Sequence, residues 1–262
     1  MSAAIRESID RTFGFEAVCI NSALVSAQNR QRLYWVGMRN NDGTYRKVPV
    51  DQPENRYVLL RDILDGQGID LTCNEKAYTL TASYNGAVAW NTIERSQRNM
   101  VCEPVQVGAL PRPNGELSTS QAFRIYDINA KSITINANGG GAGGKTGLYA
   151  IPIEFDGEKP VKAMSGTDGE TYIVYEVKDG FIIIRGKQYQ TKLADGFYII
   201  RKLTVTECMR LQTVPEWYDF SVISNAQAYK CLGNGWTCDV ITHLINATQT
   251  AARKKWLYDL LK

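Results

Sequence analysis

Histidine is almost absent from this chain, and its cysteines are isolated from one another. The 262 residues include a single histidine, His243, so a Ser-His-Asp triad or a histidine-ligated metal has almost nothing to be built from. No C-x-x-C pair occurs, which argues against a zinc knuckle or a disulfide framework. We expect reduced, mostly buried thiols at Cys19, Cys73, Cys102, Cys208, Cys231 and Cys238.

Long apolar runs and a signal-peptide pattern are also not found in the sequence. No apolar run approaches the roughly 20 residues that span a bilayer, and the N-terminus has no basic segment followed by an apolar one. With 44% hydrophobic and 22% charged residues, the composition is that of an ordinary soluble chain of one or two domains. We therefore expect a cytoplasmic protein with no membrane partner.

Charge is nearly balanced overall but unevenly distributed. The net charge of +3 does not by itself indicate a binder of phosphates. Residues 76–149 nevertheless carry 7 Lys and Arg against 4 Asp and Glu, whereas residues 150–200 carry 6 against 8. This predicts a phosphate-facing surface in the first of these stretches, although so small an excess is also typical of a solvated face. The candidate contacts are Arg95, Arg98, Arg112, Arg124, Lys131 and Lys145.

The N-terminal part has the pattern of a helix followed by two strands. Residues 2–13 predict a helix with Ser2 as N-cap and Gly14 as its stop. Strands are predicted over 16–21 and 32–37, with a loop at 40–43. Two strands and one helix cannot bury both faces of a sheet, so we expect this part to pack against further sheet that the chain does not supply.

The middle of the chain is rich in β-branched and aromatic residues, and the end is helical. Lys178-Asp179-Gly180 between two such runs predicts a tight hairpin, and residues 198–200 predict another strand. Capping boxes at Thr204-Val205-Thr206-Glu207 and Ser224-Asn225-Ala226-Gln227 predict two helices, ended by Pro215 and Gly233. An apolar stripe then predicts a final helix, and its members are Val240, Ile241, Leu244 and Ile245.

One apparent nucleotide-binding motif is rejected on its context. Residues 139–146 satisfy G-x-x-x-x-G-K-[ST], but a P-loop requires a helix directly after it, whose amide groups hold the phosphates. Residues 147–153 instead have the pattern of a strand, and Pro152 opposes a helix. We interpret the glycines as a loop that allows close backbone approach, with Lys145 available to a phosphate.

Three segments match a set of motifs in order and spacing. They are Gln28-Asn29-Arg30-Gln31-Arg32, the segment from Arg201 to Gln212, and Tyr229-Lys230-Cys231-Leu232-Gly233-Asn234. They resemble the Q-x-R-x-R, R-x-L-T-x-x-E-x-x-R-L-Q and Y-K-x-x-G-N motifs of the cytosine-C5 DNA methyltransferases, above all the phage and bacterial enzymes. The resemblance covers both ends of the chain directly and the middle only by position.

The resemblance implies roles for two arginines at a cytosine that has been flipped out of the duplex. Arg32 would reach the cytosine O2 and Arg30 would support that site, both as catalytic residues. A guanidinium suits both tasks because it stays charged and donates in a fixed fork. The alternative is that both arginines form ordinary surface ion pairs at a strand edge.

The resemblance also implies a cofactor and a partner. S-adenosylmethionine would be contacted through its amino-acid part by Asn234 and Gly233; the alternative is a helix stopped by glycine, a tight turn and another helix. Arg201 and the Thr204 to Glu207 capping box are interpreted as structural. Double-stranded DNA is the implied partner, with DNA-binding residues Lys145, Arg124, Lys131 and Arg98.

Parts that this family needs for chemistry are missing from the sequence. No Pro-Cys dipeptide occurs, nor a Glu-Asn-Val segment, nor a glycine-rich cofactor turn. We therefore expect an α/β protein: an incomplete Rossmann-like methyltransferase domain with an inserted β-rich target-recognition domain. Residues 1–57 and 201–262 would belong to the catalytic domain, and residues 58–200 would form the insert.

These absences also set the expected activity. The chain would be the C-terminal portion of an enzyme, and alone it would transfer no methyl groups. An N-terminal methyltransferase polypeptide would have to supply the nucleophile, the glutamate and the cofactor turn. The alternatives are a DNA-binding decoy or regulator without catalytic activity, and a truncated remnant of such an enzyme.

Overall fold

The computed structural model describes residues 2–65, 104–137, 144, 146–153, 163–165 and 171–260. Four α-helices lie in these ranges: α1 (Ala3–Phe13), α2 (Val205–Leu211), α3 (Asn225–Asn234) and α4 (Cys238–Leu260). The strands are β1 (Val18–Asn21), β2 (Gln31–Tyr34), β3 (Gly37–Arg39), β4 (Tyr45–Lys47), β5 (Gln106–Ala109), β6 (Arg124–Asp127), β7 (Leu148–Ile153), β8 (Ala163–Ser165), β9 (Thr171–Lys178), β10 (Phe181–Ile184), β11 (Lys187–Gln190) and β12 (Gly196–Arg201).

The N-terminal helix and strands form much as predicted. The Ser2 side chain accepts a hydrogen bond from the Ile5 amide, and Gly14 ends α1 in the left-handed conformation that glycine adopts without strain. Strands β1 and β2 pair antiparallel in a sheet of two strands. The predicted second strand is interrupted: it ends at Tyr34 and resumes as β3, which pairs with β4.

An eight-stranded sheet occupies the middle of the chain. Its order is β11-β10-β9-β12-β7-β6-β5, with β8 also paired to β9. All pairs are antiparallel except β6 with β7. The predicted hairpin is confirmed, because Asp179 and Gly180 both have positive φ and join β9 to β10 in a two-residue turn. Residues Leu148–Ile153 form a strand, as expected when the P-loop was rejected.

The terminal helices are capped as the sequence predicts, although one ends early. Thr204 accepts from the Glu207 amide and Glu207 accepts from the Thr204 amide, which confirms the first capping box. The Ser224 side chain caps α3. Helix α2 ends at Leu211 rather than near Pro215, since the chain turns through a positive φ of 50° at Thr213.

Three buried clusters hold these elements together. One fills the sheet around Ile125, Val177 and Ile182. A second joins β6 and β7 to α2 and α3. The third packs Ile20 and Val25 against Val240 and Leu244, which places α4 against β1. The final helix therefore buries half of its predicted stripe, whereas Ile245 is exposed.

The described residues form a mixed α/β structure with one large sheet and few helices. Within those ranges no helix has the length and hydropathy needed to cross a membrane. The predicted division at residues 57 and 200 stays a prediction.

Candidate functional site

The first motif lies on a loop that asparagine side chains shape. Asn21 ends β1, and its Oδ1 accepts from the amides of Ala23 at 3.0 Å and Arg30 at 2.9 Å. Its Nδ2 donates to Asn29 Oδ1 at 2.8 Å. Asparagine often stabilises loops of this kind, because its short side-chain amide forms hydrogen bonds with nearby backbone groups. The loop therefore returns to β2 with Arg30 directed inward.

Arg30 connects the first motif to the third. Its side chain is only 4% exposed, and its guanidinium donates to the carbonyl oxygens of Gly233 at 3.1 Å, Gly235 at 2.9 Å and Ile135 at 3.3 Å. Burial, and secondly the charge of Arg32, lower the pKa of Arg30 to about 10. The group is thus still charged at neutral pH, and removing it would leave three carbonyl oxygens without this donor. The alternative of a surface ion pair is wrong for Arg30.

A buried series of side-chain hydrogen bonds links the second motif to the third and to the loop that precedes the first. The hydroxyl groups of Ser22 and Thr237 are 2.7 Å apart, and Thr237 donates to Gln212 Oε1 at 2.9 Å. Gln212 Nε2 donates to the Leu232 carbonyl at 2.7 Å, and its own carbonyl accepts from the Cys238 amide. We use the name motif junction for this series of hydrogen bonds together with the contacts of Arg30. Ser22 and Thr237 carry no sequence signal, because their importance depends on partners far along the chain.

Two of the predicted site residues are exposed next to the motif junction. Arg32 lies on β2, two residues after Arg30, and within the described ranges its side chain donates only to the carbonyl of the adjacent Gln31. Asn234 is exposed at the end of α3. A charged fork and a carboxamide are thus presented to solvent beside a rigid, buried connection.

Gly233 is a packing residue in this structure. A Cβ there would lie 2.5 Å from the Ala137 nitrogen and 2.7 Å from the Asn136 carbonyl carbon. Helix α3 can approach this backbone only because residue 233 has no side chain. The role of Gly233 as a cofactor contact stays a prediction.

Lys131 is not a DNA contact in this structure, which corrects the prediction made for it. Its side chain is 3% exposed, and the ammonium group donates to the carbonyl oxygens of Ala23, Ser26 and Val58. An ammonium with its donors directed into the protein cannot reach a phosphate. Lys131 instead binds the loop that precedes the first motif, and the neighbouring Ser132 pairs with Gln28 of that motif.

The other predicted DNA contacts have mixed outcomes. Arg124 is partly exposed and donates from Nε to the Thr119 carbonyl at 2.9 Å. Arg112 is exposed. Arg95, Arg98 and Lys145 lie outside the described residues. No group of metal-binding side chains is found in the described ranges.

The second motif is held by a buried ion pair. Glu207 is 0% exposed, and its carboxylate accepts hydrogen bonds from the two terminal guanidinium nitrogens of Arg201, at 2.7 and 2.8 Å. It also accepts the amides of Thr204 at 2.7 Å and Asp65 at 3.0 Å. Every group in this cluster is directed at another protein group, which agrees with a structural role for Arg201 and the capping box.

The four described cysteines do not share one environment, and two of them depart from the expectation of mostly buried thiols. Cys208 is buried in the core, whereas Cys19 and Cys231 are exposed. Burial, and secondly the charge of Glu207, raise the pKa of Cys208 well above its usual value. This thiol therefore stays protonated and inert at neutral pH. Cys73 and Cys102 lie outside the described residues.

Thiol labelling should separate these environments. At pH 8, we expect Cys19→Ser to lower the number of thiols that react with an aromatic disulfide reagent in the native protein by about one, because thiolate and access control the reaction. Cys208→Ala should leave the native count unchanged and lower only the count measured in denaturant. Rapid native labelling at Cys208 would contradict the burial described above.

Comparison with known proteins identifies the family of this chain. The model of the C-5 cytosine-specific DNA methylase family matches residues 14–250. The chain therefore belongs to that family. No curated protein gave a match. Among solved structures, the chain is similar to one described as a structure analysis of the Entamoeba histolytica methyltransferase EhMeth, at 13% identity and a TM-score of 0.40. The match covers 94% of this chain and 54% of that one, so the chain spans about half its length.

Proposed function

We propose that this chain is the target-binding and domain-closing portion of a DNA (cytosine-5-)-methyltransferase. It would bind double-stranded DNA and hold a flipped cytosine, while the attacking thiolate, the glutamate and the glycine-rich cofactor turn come from polypeptide outside these 262 residues. By itself the chain would transfer no methyl groups. The division into 1–57, 58–200 and 201–262 is part of this proposal.

The observation that carries the proposal is the motif junction. Arg30 joins the first motif to the carbonyls of Gly233 and Gly235, and Gln212 of the second motif donates to the Leu232 carbonyl, so hydrogen bonds connect three segments distant in sequence. Arg32, two residues further along the chain, is exposed. A guanidinium on a fixed support can donate to a carbonyl oxygen such as cytosine O2 at little cost in reorganisation.

The residues present fit one part of S-adenosylmethionine. The carboxamide of Asn234 can both donate and accept, which suits the ammonium and carboxylate of the amino-acid part. When bound, the cofactor supplies the methyl group. The sequence has no counterpart of the family's glycine-rich cofactor turn, so Asn234 would complete a cofactor site built mainly by the partner.

A trapping experiment tests the proposal directly. A duplex carrying 5-fluorocytosine at target positions forms a stable covalent adduct with an active enzyme of this family. We expect no adduct from the purified chain with S-adenosylmethionine. Adduct should form once an N-terminal polypeptide from a bacterial enzyme of the family, ending before its own Q-x-R-x-R motif, is added. An adduct formed by this chain alone would refute the proposal that the attacking thiolate comes from another polypeptide.

Arg32→Ala is the sharpest variant for this assay. Loss of a charged hydrogen bond to the base costs about 1.5–3 kcal/mol, so adduct yield in the reconstituted system should fall by about 10- to 100-fold. The melting temperature should not change, since the side chain is exposed. Arg39→Ala removes another exposed strand arginine and serves as the matched control. Equal yields from both variants would contradict the role of Arg32.

A non-catalytic decoy or regulator is the second candidate, favoured by the missing Pro-Cys dipeptide. Such a protein would bind duplex DNA with a salt dependence that reports few phosphate contacts. Addition of the N-terminal polypeptide would then produce no adduct, and Arg32→Ala would not change binding.

A further inference from the structure

The strands of the large sheet surround a common core that none of the roles above uses. Each strand on the path from β11 to β5 contributes at least one buried side chain to the same cluster. The two edge strands also adjoin, because the Val107 carbonyl of β5 accepts from the Thr191 hydroxyl at 2.9 Å and the Lys192 amide at 2.7 Å, just after β11. The sheet therefore curls into a barrel-like shape, and the open ends of such barrels are common places for ligands.

A cavity lies at one end of this barrel-like sheet. Its volume is about 610 Å³, within the range of roughly 300–1,000 Å³ that is typical of small-molecule sites. Its walls come from the end of β10, the first part of β9 and the loop after β5. The apolar part of the wall includes Leu110, Ile173, Ile184 and the ring of Tyr175. Ile173 is 59% exposed, so apolar surface remains here for a ligand to cover.

Two arginines supply the charge at this cavity. Arg112 and Arg185 line it and are exposed, and within the described ranges the lining contains no Asp or Glu and neither arginine forms an ion pair. Burial raises the pKa of Tyr175, and the nearby charge of Arg185 opposes this rise. Arg185 Nη1 donates to the Pro113 carbonyl at 3.2 Å. A guanidinium has five N–H donors, so further donors remain for an anion.

The backbone at Arg185 is a separate indication of a function for this side chain. Arg185 and Gly186 have φ of 52° and 78° and form the two-residue turn from β10 to β11. Glycine and asparagine are preferred at both positions of such a turn, because other side chains are penalised in the left-handed region. Residues held in this way despite the penalty cluster at functional sites.

We propose that this cavity binds a small anionic amphiphile, in which one carboxylate, held by Arg185 and Arg112, is attached to an aryl or alkyl group that packs on Ile173, Ile184 and Tyr175. A bare phosphate would leave the apolar wall unused, and a neutral apolar ligand would leave both guanidinium groups unused. Cavity size and charge complementarity therefore favour a small molecule over the phosphates of a duplex. The inference goes beyond the proposed function and does not depend on it, since the site uses none of the three motifs.

Three naphthalene probes of similar shape but different charge test the ligand class. They are naphthalene-2-carboxylate, 2-naphthalenemethanol and 2-naphthylmethylammonium, and calorimetry with the whole chain measures their affinities. We expect the carboxylate to bind about 10-fold more tightly than the alcohol, the lower end for a charge-assisted hydrogen bond, because both arginines are exposed. The ammonium should bind least tightly, and inorganic phosphate should not displace the carboxylate.

Arg185→Asn separates a role in binding from a role in the turn. Asparagine adopts a positive φ more readily than arginine, so the urea midpoint should stay the same or rise. The affinity for naphthalene-2-carboxylate should nevertheless fall about 10-fold, while the affinity for the alcohol should not change. Arg39→Asn removes an exposed arginine elsewhere and should alter neither affinity.

A second variant tests the apolar wall. Ile173→Gln should weaken both the carboxylate and the alcohol about 5-fold, because part of the apolar contact is lost. Val222→Gln, at a residue that is 83% exposed outside the cavity, is the matched control and should bind like the unaltered protein.

The opposite results would overturn the inference. Equal affinities for the carboxylate and the alcohol, or no carboxylate binding at millimolar concentration, would exclude the ligand class. Unchanged carboxylate binding by Arg185→Asn would exclude the assigned role of the guanidinium. Displacement of the carboxylate by inorganic phosphate or by duplex DNA would identify a phosphate contact instead. Carboxylate binding without adduct in the reconstituted trapping assay would leave this inference standing and remove the proposed function.

Discussion

Replacing Glu207 by glutamine should lower the free energy of unfolding by about 3–5 kcal/mol, as is typical when one partner of a buried ion pair is removed. The carboxylate is fully buried and accepts four hydrogen bonds, from Arg201, Thr204 and Asp65. Glutamine keeps the shape but loses the charge, and its amide nitrogen would face donors only. Urea denaturation followed by circular dichroism measures the change.

An exposed ion pair provides the control for this prediction. Arg56 pairs with Asp239 across the surface, and the arginine side chain is 55% exposed. Because water and salt screen such a pair, Arg56→Ala should cost no more than about 1 kcal/mol. A loss at Glu207→Gln that is as small as the loss at Arg56→Ala would show that the buried cluster does not hold the second motif in place.

Replacing Gly233 by alanine should destabilise the protein by about 3 kcal/mol, the upper part of the range for overpacked sites. Alanine is the better helix former, so local preference alone would stabilise α3 by roughly 0.5–1 kcal/mol. The new Cβ would instead lie 2.5–2.8 Å from backbone atoms of Asn136 and Ala137, which cannot rotate away as a side chain would. The helix must move, and the bond from Arg30 to the Gly233 carbonyl must lengthen or break.

Gly14→Ala is the matched control for that clash. Residue 14 has a φ of 77°, and a Cβ at this position would have no atom within 4 Å, so only the left-handed backbone is penalised. That penalty is about 1–2 kcal/mol. Urea midpoints should therefore fall further for Gly233→Ala than for Gly14→Ala. In the trapping assay, Gly233→Ala should also lower adduct yield, whereas Gly14→Ala should not. A Gly233→Ala protein as stable as the unaltered chain would contradict the close approach described.

Local patterns predicted the elements whose causes are local. Ser2 and Gly14 bound α1, the Thr204 to Glu207 box begins α2, and Asp179-Gly180 forms the hairpin turn. In each case the stabilising hydrogen bond or the permitted φ involves residues within a few positions of one another. The end of α2 was missed because it depends on the strained turn at Thr213, which packing maintains and propensity does not show.

The sequence motifs named the candidate residues but did not show which of them are buried. The motifs identified Arg30 and Arg32 together, yet one is buried under three carbonyl oxygens and the other is exposed. Lys131 was predicted to contact a phosphate, but its side chain is buried and its ammonium group donates to backbone carbonyl oxygens. The residue type alone does not distinguish a buried basic side chain from an exposed one. Only the fold determines whether its hydrogen-bond donors contact protein or water.

The sequence by itself determined the family of this protein, because three ordered motifs keep their residue types and spacing regardless of context. It also determined that Pro-Cys is absent. Only the tertiary structure decided that Arg30, Gln212 and Gly233 converge in one motif junction and that Arg32 is exposed beside it. Contacts between residues about 200 positions apart arise from packing of the whole chain, and no local pattern encodes them.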